Sequence, residues 1–216
     1  MRTWTSLTLL LVGLLVAKTA QAQSWNFQDG VIGELPKTWT ATKTGEGPGS
    51  VWKVQEDETA PAGGRVLSQT SAEGPNALFN LCLANGTKFQ DVDLALSLKA
   101  VAGKLDQGGG PVWRCQDKDN YYVARLNPLE GDFRLFHVVK GKRTQLGKPV
   151  KVSEAAGQWH TIRVVHVGQH ITCSLNNKQL IELDDDTLRE PGMIGLWTKA
   201  DAVTSFDGVT AVAAKK

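Results

Sequence analysis

The stretch FRLFHVVKGKRTQL, residues 133–146, decides the fold class. Apolar and polar residues alternate on both sides of Lys140-Gly141-Lys142, and period-two alternation indicates a strand on each side. The glycine permits the positive φ that a tight hairpin turn requires. The segment SLNNKQLIEL, from Ser174, repeats the pattern around Asn176-Asn177. Both segments therefore predict antiparallel hairpins.

The rest of the chain extends this pattern. Outside the N-terminal leader no apolar stripe of helical period and length accompanies the short alternating runs. The predicted strands are 50–55, 65–69, 77–82, 90–100, 111–116, 121–127, 132–140, 142–146, 160–167, 170–175, 178–184, 192–198 and 203–212. Hairpins without helical crossovers favour antiparallel pairing. We expect an all-β, two-sheet antiparallel jelly-roll sandwich that forms a single domain over residues 23–216.

The first 22 residues have the layout of a secretory signal peptide. Arg2 gives a basic start, an apolar run follows over residues 7–17, and Ala20-Gln21-Ala22 is a small-x-small cleavage pattern. The apolar run is shorter than the roughly 20 residues of a membrane-spanning helix, and no later segment is longer. We predict a secreted or periplasmic protein with no membrane span after cleavage.

Charge and cysteine content argue against nucleic-acid binding and against a CxxC metal or redox site. Loss of Arg2 and Lys18 with the leader reduces the 24 basic residues to 22, which equals the 22 acidic ones. Without net positive charge, the electrostatic attraction that dominates nucleic-acid binding is missing, so no nucleic-acid partner is expected. The three cysteines lie in apolar or alternating runs without a CxxC motif, and we interpret them as buried structural thiols: Cys82, Cys115 and Cys173.

A candidate ligand surface lies in GGGPVWRCQDKDNYYVARLNP, residues 108–128. Strand alternation places Arg114 with Gln116 on one face, and the polar turn that follows pairs this strand with the one that carries Arg125. Two guanidiniums beside an amide suit hydroxyl, carboxylate or carbonyl oxygens. An ordinary solvated sheet face, with its arginines paired to nearby acids, is the alternative.

Three motifs carry a family resemblance: W-H-x-I-R-V from Trp159, N-N-K-x-L from Asn176, and the closing G-x-I-G-L-W from Gly192 with S-F-D-G-V from Ser205. They resemble the concanavalin A-like jelly-roll proteins of the 3-keto-disaccharide hydrolase and laminin-G-like domain group, over most of the mature chain. The resemblance implies a curved sheet whose concave face takes carbohydrate.

The resemblance also implies a set of site residues. Arg114 stands where many hydrolase-type relatives place an arginine after a glycine-rich strand start. The segment after G-x-I-G-L tends to carry Gln, Asp and His in those relatives. Here it contains Trp197, Lys199 and Asp201 but no histidine, which departs from the hydrolase pattern. Trp197 either stacks on a sugar ring, with Lys199 and Asp201 at the rim, or packs in the core.

Other catalytic and metal motifs are weak. The E-x-D-x-x-E strand of retaining glycosidases has its nearest match at Glu182, where the final glutamate is missing. No metal-binding histidine spacing occurs, and no cofactor is expected to be required. A structural calcium ion at the sandwich edge is a candidate, with Asp207 and Asp29 as oxygen ligands.

Two function classes follow, both with a saccharide or glycoconjugate as ligand. In the first, the chain is a 3-keto-disaccharide-type glycoside hydrolase in which Arg114 and Arg125 orient the substrate and Asp201 acts as acid or base. In the second, it is a non-catalytic laminin-G-like module that binds glycans through Trp197, Arg114 and Gln116. A structural role in a cell-surface assembly is a third.

Overall fold

The computed structural model describes residues 22–215, and within this range the chain forms fifteen β-strands and no helix. The predicted signal peptide therefore lies almost wholly outside the described residues. The strands are β1 Gln23–Trp25, β2 Trp39–Thr44, β3 Trp52–Glu56, β4 Arg65–Gln69, β5 Phe79–Ala84, β6 Val92–Ala102, β7 Gly110–Asp117, β8 Asn120–Asn127, β9 Asp132–Val139, β10 Lys142–Lys151, β11 Trp159–Val167, β12 His170–Leu175, β13 Lys178–Asp184, β14 Met193–Lys199 and β15 Val203–Ala213. No described segment is a helix that could cross a membrane.

The strands form two antiparallel sheets. The eight-stranded sheet has the order β13-β12-β11-β6-β15-β4-β3, with β1 paired to β15. The seven-stranded sheet has the order β10-β9-β8-β7-β14-β5-β2. The predicted all-β, two-sheet antiparallel sandwich is confirmed, and the arrangement is consistent with a jelly roll.

Alternation along the strands builds the core between the sheets. In β6, Leu94, Leu96 and Leu98 are buried while the residues between them are partly exposed. They pack with residues of the opposite sheet such as Trp113 and Tyr122 in one apolar cluster. The three cysteines are buried, as predicted, and all three are free thiols. Burial raises the pKa of each thiol, so these cysteines are inert packing residues.

Both predicted hairpin turns are confirmed. Lys140 and Gly141 have φ of 51° and 74°, and Asn176 and Asn177 have φ of 49° and 64°. Positive φ at both central residues matches the twist of the flanking strands. All thirteen predicted strands are present, with ends shifted by two residues at most except in β10, which runs five residues beyond its predicted end; the sequence patterns missed β1 and β2.

The seven-stranded sheet is rolled so tightly that it encloses a second apolar cluster. Along β8, Tyr121 and Val123 of this cluster alternate with inter-sheet core residues, so the cluster lies on the face that points away from the other sheet. The hydroxyls of Tyr121 and Thr44 lie 2.9 Å apart, although three strands separate β8 from β2. In a flat sheet the two strands would be about 19 Å apart. This face is therefore concave, and we call it the concave face.

Candidate functional site

The floor of the concave face is aromatic. The rings of Phe79 and Trp197 have their centroids 5.4 Å apart. The Arg143 guanidinium carbon lies 5.0 Å from the Phe79 centroid, 4.5 Å from that of Phe136 and 5.8 Å from that of Trp197. Trp197 is completely buried, and its indole N–H donates to the Tyr121 hydroxyl at 3.3 Å. Of the two interpretations of Trp197, the structure therefore favours core packing over a sugar-stacking platform.

Arg143 is the unusual group on this floor. It forms no ion pair with any residue of the described range, and its buried Nη1 atom has no hydrogen-bond partner there. Burial, and then the charge of Arg125, lower its pKa, but a guanidinium stays charged in proteins. Because part of the Arg143 side chain is exposed, its guanidinium can donate hydrogen bonds to an oxygen atom of a ligand.

A buried ion-pair network borders the aromatic floor. The Lys199 ammonium donates to Asp106 at 2.8 Å and also bonds the side chain of Asn76. Asp106 accepts a further bond from Asn127 at 3.0 Å and lies 3.7 Å from Arg125. Burial raises the pKa of Asp106, and its two cationic neighbours offset this only in part. Asp106 is thus a buried carboxyl held between two cations.

Arg125 connects this network to a more accessible rim. Its Nη2 atom donates to Glu130 at 2.8 Å and to Asp132 at 2.7 Å, and Arg134 bonds the second oxygen of Asp132. Burial acts to raise the pKa of Glu130 and Asp132, but their bonds to the arginines outweigh it and lower both values. Glu130 and Arg134 remain partly exposed. We call Asp106, Arg125, Glu130, Asp132, Arg134, Arg143 and Lys199 the concave-face cluster.

Asp201 holds the loop that carries Asp106 of this cluster. Its carboxylate accepts backbone N–H bonds from Lys104 at 2.7 Å, from Leu105 at 3.1 Å and from Asp106 at 3.0 Å. Burial acts to raise its pKa, but these bonds outweigh it and lower the value. The carboxylate therefore fixes the loop that presents Asp106. Because the Asp201 oxygens already accept backbone hydrogen bonds and its pKa is lowered, the structure argues against the role of acid or base suggested from the sequence.

Arg114 and Gln116 do not join Arg125, which corrects the expectation of one shared surface. Arg114 has φ of 44° and lies in a bulge of β7. Its buried guanidinium donates to the backbone carbonyls of Gln90, Leu188 and Gly168 at 2.6, 3.0 and 2.7 Å. Gln116 bonds the carbonyl of Glu190 at 2.9 Å. The bulge turns the Arg114 side chain away from the face that carries Arg125. Arg114 and Gln116 therefore bond loop carbonyls and hold those loops together.

The proposed calcium ligands do not come together in a carboxylate cluster. One oxygen of Asp207 accepts the Ala62 N–H at 2.6 Å, and the other is buried without a partner in the described range. Asp29 lies at the surface beside the N-terminal strand. Residues 22–215 contain no group of three His, Cys, Asp or Glu side chains that could hold a metal ion. Calcium ligation by these two residues stays a prediction.

Several solved structures share this architecture. The carbohydrate-binding module CBM66 from Bacillus subtilis has 17% identity and a TM-score of 0.64, over 81% of this chain and 95% of that one. A mixed-linkage glucan GH16 protein from Bacteroides ovatus, described in complex with a product, has 14% identity and a TM-score of 0.58, over 87% and 98%. Domain 4 of the arabinanase AbnA from Geobacillus stearothermophilus, described in complex with arabinotriose, has 9% identity and a TM-score of 0.57, over 91% and 94%. At these identities the similarity shows the fold alone.

Sequence comparison is more specific. No curated protein sequence matches the chain significantly. The family model described as the 3-keto-alpha-glucoside-1,2-lyase-like domain matches residues 23–210. This range includes every residue of the concave-face cluster. The chain belongs to the 3-keto-alpha-glucoside-1,2-lyase-like domain family.

Proposed function

We propose that this chain is an exported, non-catalytic saccharide-binding protein and that carbohydrate contacts the accessible edge of the concave-face cluster. The observation that carries the proposal is Arg143, a partly exposed cation on an aromatic floor with no carboxylate partner in the described range. Arg134 and Glu130 form a partly exposed pair in the same cluster and offer further donors and acceptors. Sugar hydroxyls can accept from the guanidiniums and donate to the carboxylate.

The state of the carboxylates favours binding over hydrolysis. A glycosidase needs a protonated acid and a second carboxylate that is free to act as base or nucleophile. Glu130 and Asp132 are paired to arginines and have lowered pKa values, so they stay ionised and engaged. The oxygens of Asp201 are occupied by backbone N–H groups. The names of the structural neighbours, which include a carbohydrate-binding module and an arabinotriose complex, support a saccharide ligand.

One observation favours a second candidate function, the elimination reaction that the family description implies. Asp106 has a raised pKa and contacts Lys199, and a perturbed carboxyl beside an amine is a candidate acid–base pair. In a 3-keto-glucoside the C2 proton is acidic because it adjoins the ketone. A base that removes this proton allows the C1–O bond to break, so that the electron pair of the C–H bond forms the C1–C2 double bond and the aglycone leaves with a proton.

Calorimetric titration of mature protein, with product analysis of the same samples, tests both functions. The ligands are laminaribiose, sucrose, trehalose, arabinotriose and 3-keto-sucrose. We expect at least one to bind without turnover, and Arg143→Gln to weaken that binding by about 10- to 100-fold, since a hydrogen bond to a charged group contributes about 1.5–3 kcal/mol. The matched control is Arg163→Gln, an exposed arginine paired with Asp93 on the other sheet. It should leave the affinity unchanged.

Three results contradict the proposal. Failure of all five saccharides to bind rejects saccharide binding for this panel, and equal affinities of the Arg143→Gln and Arg163→Gln variants reject the concave-face location. Turnover of 3-keto-sucrose that is lost in Asp106→Asn, with the variant still folded by circular dichroism, replaces binding by the elimination reaction.

A further inference from the structure

A pocket lies beside the N-terminal strand, apart from the concave-face cluster. It has a volume of about 410 Å³ and is lined by β1 and by the segment that leads to the start of β2. This volume falls within the roughly 300–1,000 Å³ of small-molecule sites. None of the residues of the concave-face cluster lines it.

One wall of the pocket is aromatic. The rings of Trp25 and Trp39 meet edge to face with centroids 5.6 Å apart, and Phe27 lies 5.7 Å from Trp39. Trp39 and Phe27 are buried, whereas Trp25 keeps part of its surface exposed. The partly exposed indole of Trp25 can pack against the C–H face of a sugar ring.

Two features of this wall are costly to the free protein. The Trp39 Nε1 atom is buried without a hydrogen-bond partner in residues 22–215, and a buried donor left unsatisfied destabilises the folded protein. Phe27 has φ of 60°, which is rare for a bulky residue. Its carbonyl is held by the Gly30 N–H at 3.0 Å, and a Cβ on Gly30 would lie 2.7 Å from Val54 Cγ2. Strained backbone is concentrated at functional sites.

The rim of the pocket is polar and carries net negative charge. Asp29 and Glu34 are exposed, and neither forms an ion pair with a described residue, while Lys37 is the one basic side chain among the lining residues. Unpaired carboxylates accept hydrogen bonds from hydroxyl groups. They also repel an anionic ligand, which disfavours uronic acids.

We propose that this pocket is a second carbohydrate site, which takes a neutral sugar unit with its C–H face on Trp25 and its hydroxyls on Asp29 and Glu34. An aromatic wall next to two unpaired acceptors matches the apolar C–H face and the hydroxyl-bearing edge of a pyranose ring. The pocket is built from different strands than the concave-face cluster. Binding at this site can therefore be tested independently of the proposed function.

The indole N–H signals in ¹⁵N-correlated NMR spectra test this location directly, because each tryptophan gives one signal that a Trp→Phe variant assigns. Methyl α-D-glucoside, methyl β-D-galactoside and methyl α-D-mannoside are titrated into the mature protein. We expect at least one to shift the Trp25 and Trp39 signals saturably while the Trp197 signal stays in place. Methyl β-D-glucuronide should bind at least 10-fold more weakly than that neutral glycoside.

Variants separate this site from the concave face. Trp25→Ala should weaken binding, followed at the Trp39 signal, at least 10-fold, whereas Trp159→Ala, at another half-buried tryptophan outside the pocket, should not. If no neutral glycoside shifts the Trp25 and Trp39 signals, or if Trp25→Ala and Trp159→Ala behave alike, the second site is rejected. Shifts at Trp197 alone, abolished by Arg143→Gln, reject the second site and support the concave-face site.

Discussion

Replacement of Lys199 by methionine tests whether the concave-face cluster is held by charge. The Lys199 and Asp106 side chains are 8% and 1% exposed, and their charged atoms lie 2.8 Å apart. At an effective dielectric constant of about 20 this distance corresponds to an attraction of about 6 kcal/mol. Arg125 stays 3.7 Å from the same carboxylate and compensates part of the loss. We therefore expect Lys199→Met to cost about 3 kcal/mol at pH 7, the lower end for breaking a buried pair.

The cost should depend on pH. Burial already raises the pKa of Asp106, and removal of Lys199 raises it further. A carboxyl whose pKa is higher in the folded than in the unfolded state takes up its proton first in the folded state, so this group favours folding increasingly as pH falls through its folded pKa. The destabilisation by Lys199→Met should therefore shrink from pH 7 towards pH 4.

Urea unfolding of four proteins measures the coupling energy between Lys199 and Asp106: the parent, Lys199→Met, Asp106→Asn and the double variant. With a slope of about 2 kcal/mol/M, a cost of 3 kcal/mol lowers the midpoint by about 1.5 M. We expect a coupling energy of at least about 2 kcal/mol, and no midpoint change for the control Lys118→Met, whose partner Asp119 is at the surface. Additivity within about 0.5 kcal/mol, or a cost that is constant from pH 7 to pH 4, would refute the reasoning.

Two further predictions concern groups outside the cluster. Arg114→Met should lower the free energy of unfolding in urea by about 3–5 kcal/mol, because it leaves three backbone carbonyls without their buried donor. Gln116→Ala should change it by less than about 0.5 kcal/mol. Equal effects of the two substitutions would contradict the role of Arg114 in holding these loops together. Burial, and then the charge of Arg114, lower the pKa of His166 to about 3. Between pH 6.5 and pH 4 this imidazole therefore takes up a proton only in the unfolded state. The free energy of unfolding then falls by up to about 1.4 kcal/mol for each pH unit. His166→Gln should remove that part of the slope in urea titrations from pH 7 to pH 4, and an unchanged slope would contradict the assignment.

Alternation predicted the strands well because most of them bury one face. In β6, Val92, Leu94, Leu96 and Leu98 recur at every second position, and the structure buries all four. Alternate positions of β11 are buried too, although two of them are His160 and His166. The strands that alternation missed lack this signal. β1 has three residues, none of them fully buried, and the four interior residues of β2, TATK, are all at least partly exposed. Such strands are specified by their neighbours rather than by their own pattern.

The site was predicted in part, for an identifiable reason. Alternation in β8 placed Arg125 on the same face as Tyr121 and Val123, and this strand is regular enough for the inference to hold. The same argument fails at Arg114, because a residue with positive φ in a bulge shifts the pattern by one position. Asp106 lies in a loop and its partner Lys199 is 93 residues further along the chain. No local pattern can indicate such a contact.

The rolling of the seven-stranded sheet decides where a ligand can bind. In an open concave sheet, a central tryptophan such as Trp197 would be the natural platform for a sugar. Here the roll brings Arg143, from the edge strand β10, onto Phe79 of β5, and these two side chains cover the tryptophan. The middle of the groove is thus filled by the protein itself. A ligand of the concave face must therefore lie over Arg143 and along the charged rim of Arg134 and Glu130, and its affinity should depend on hydrogen bonds to guanidinium groups more than on stacking.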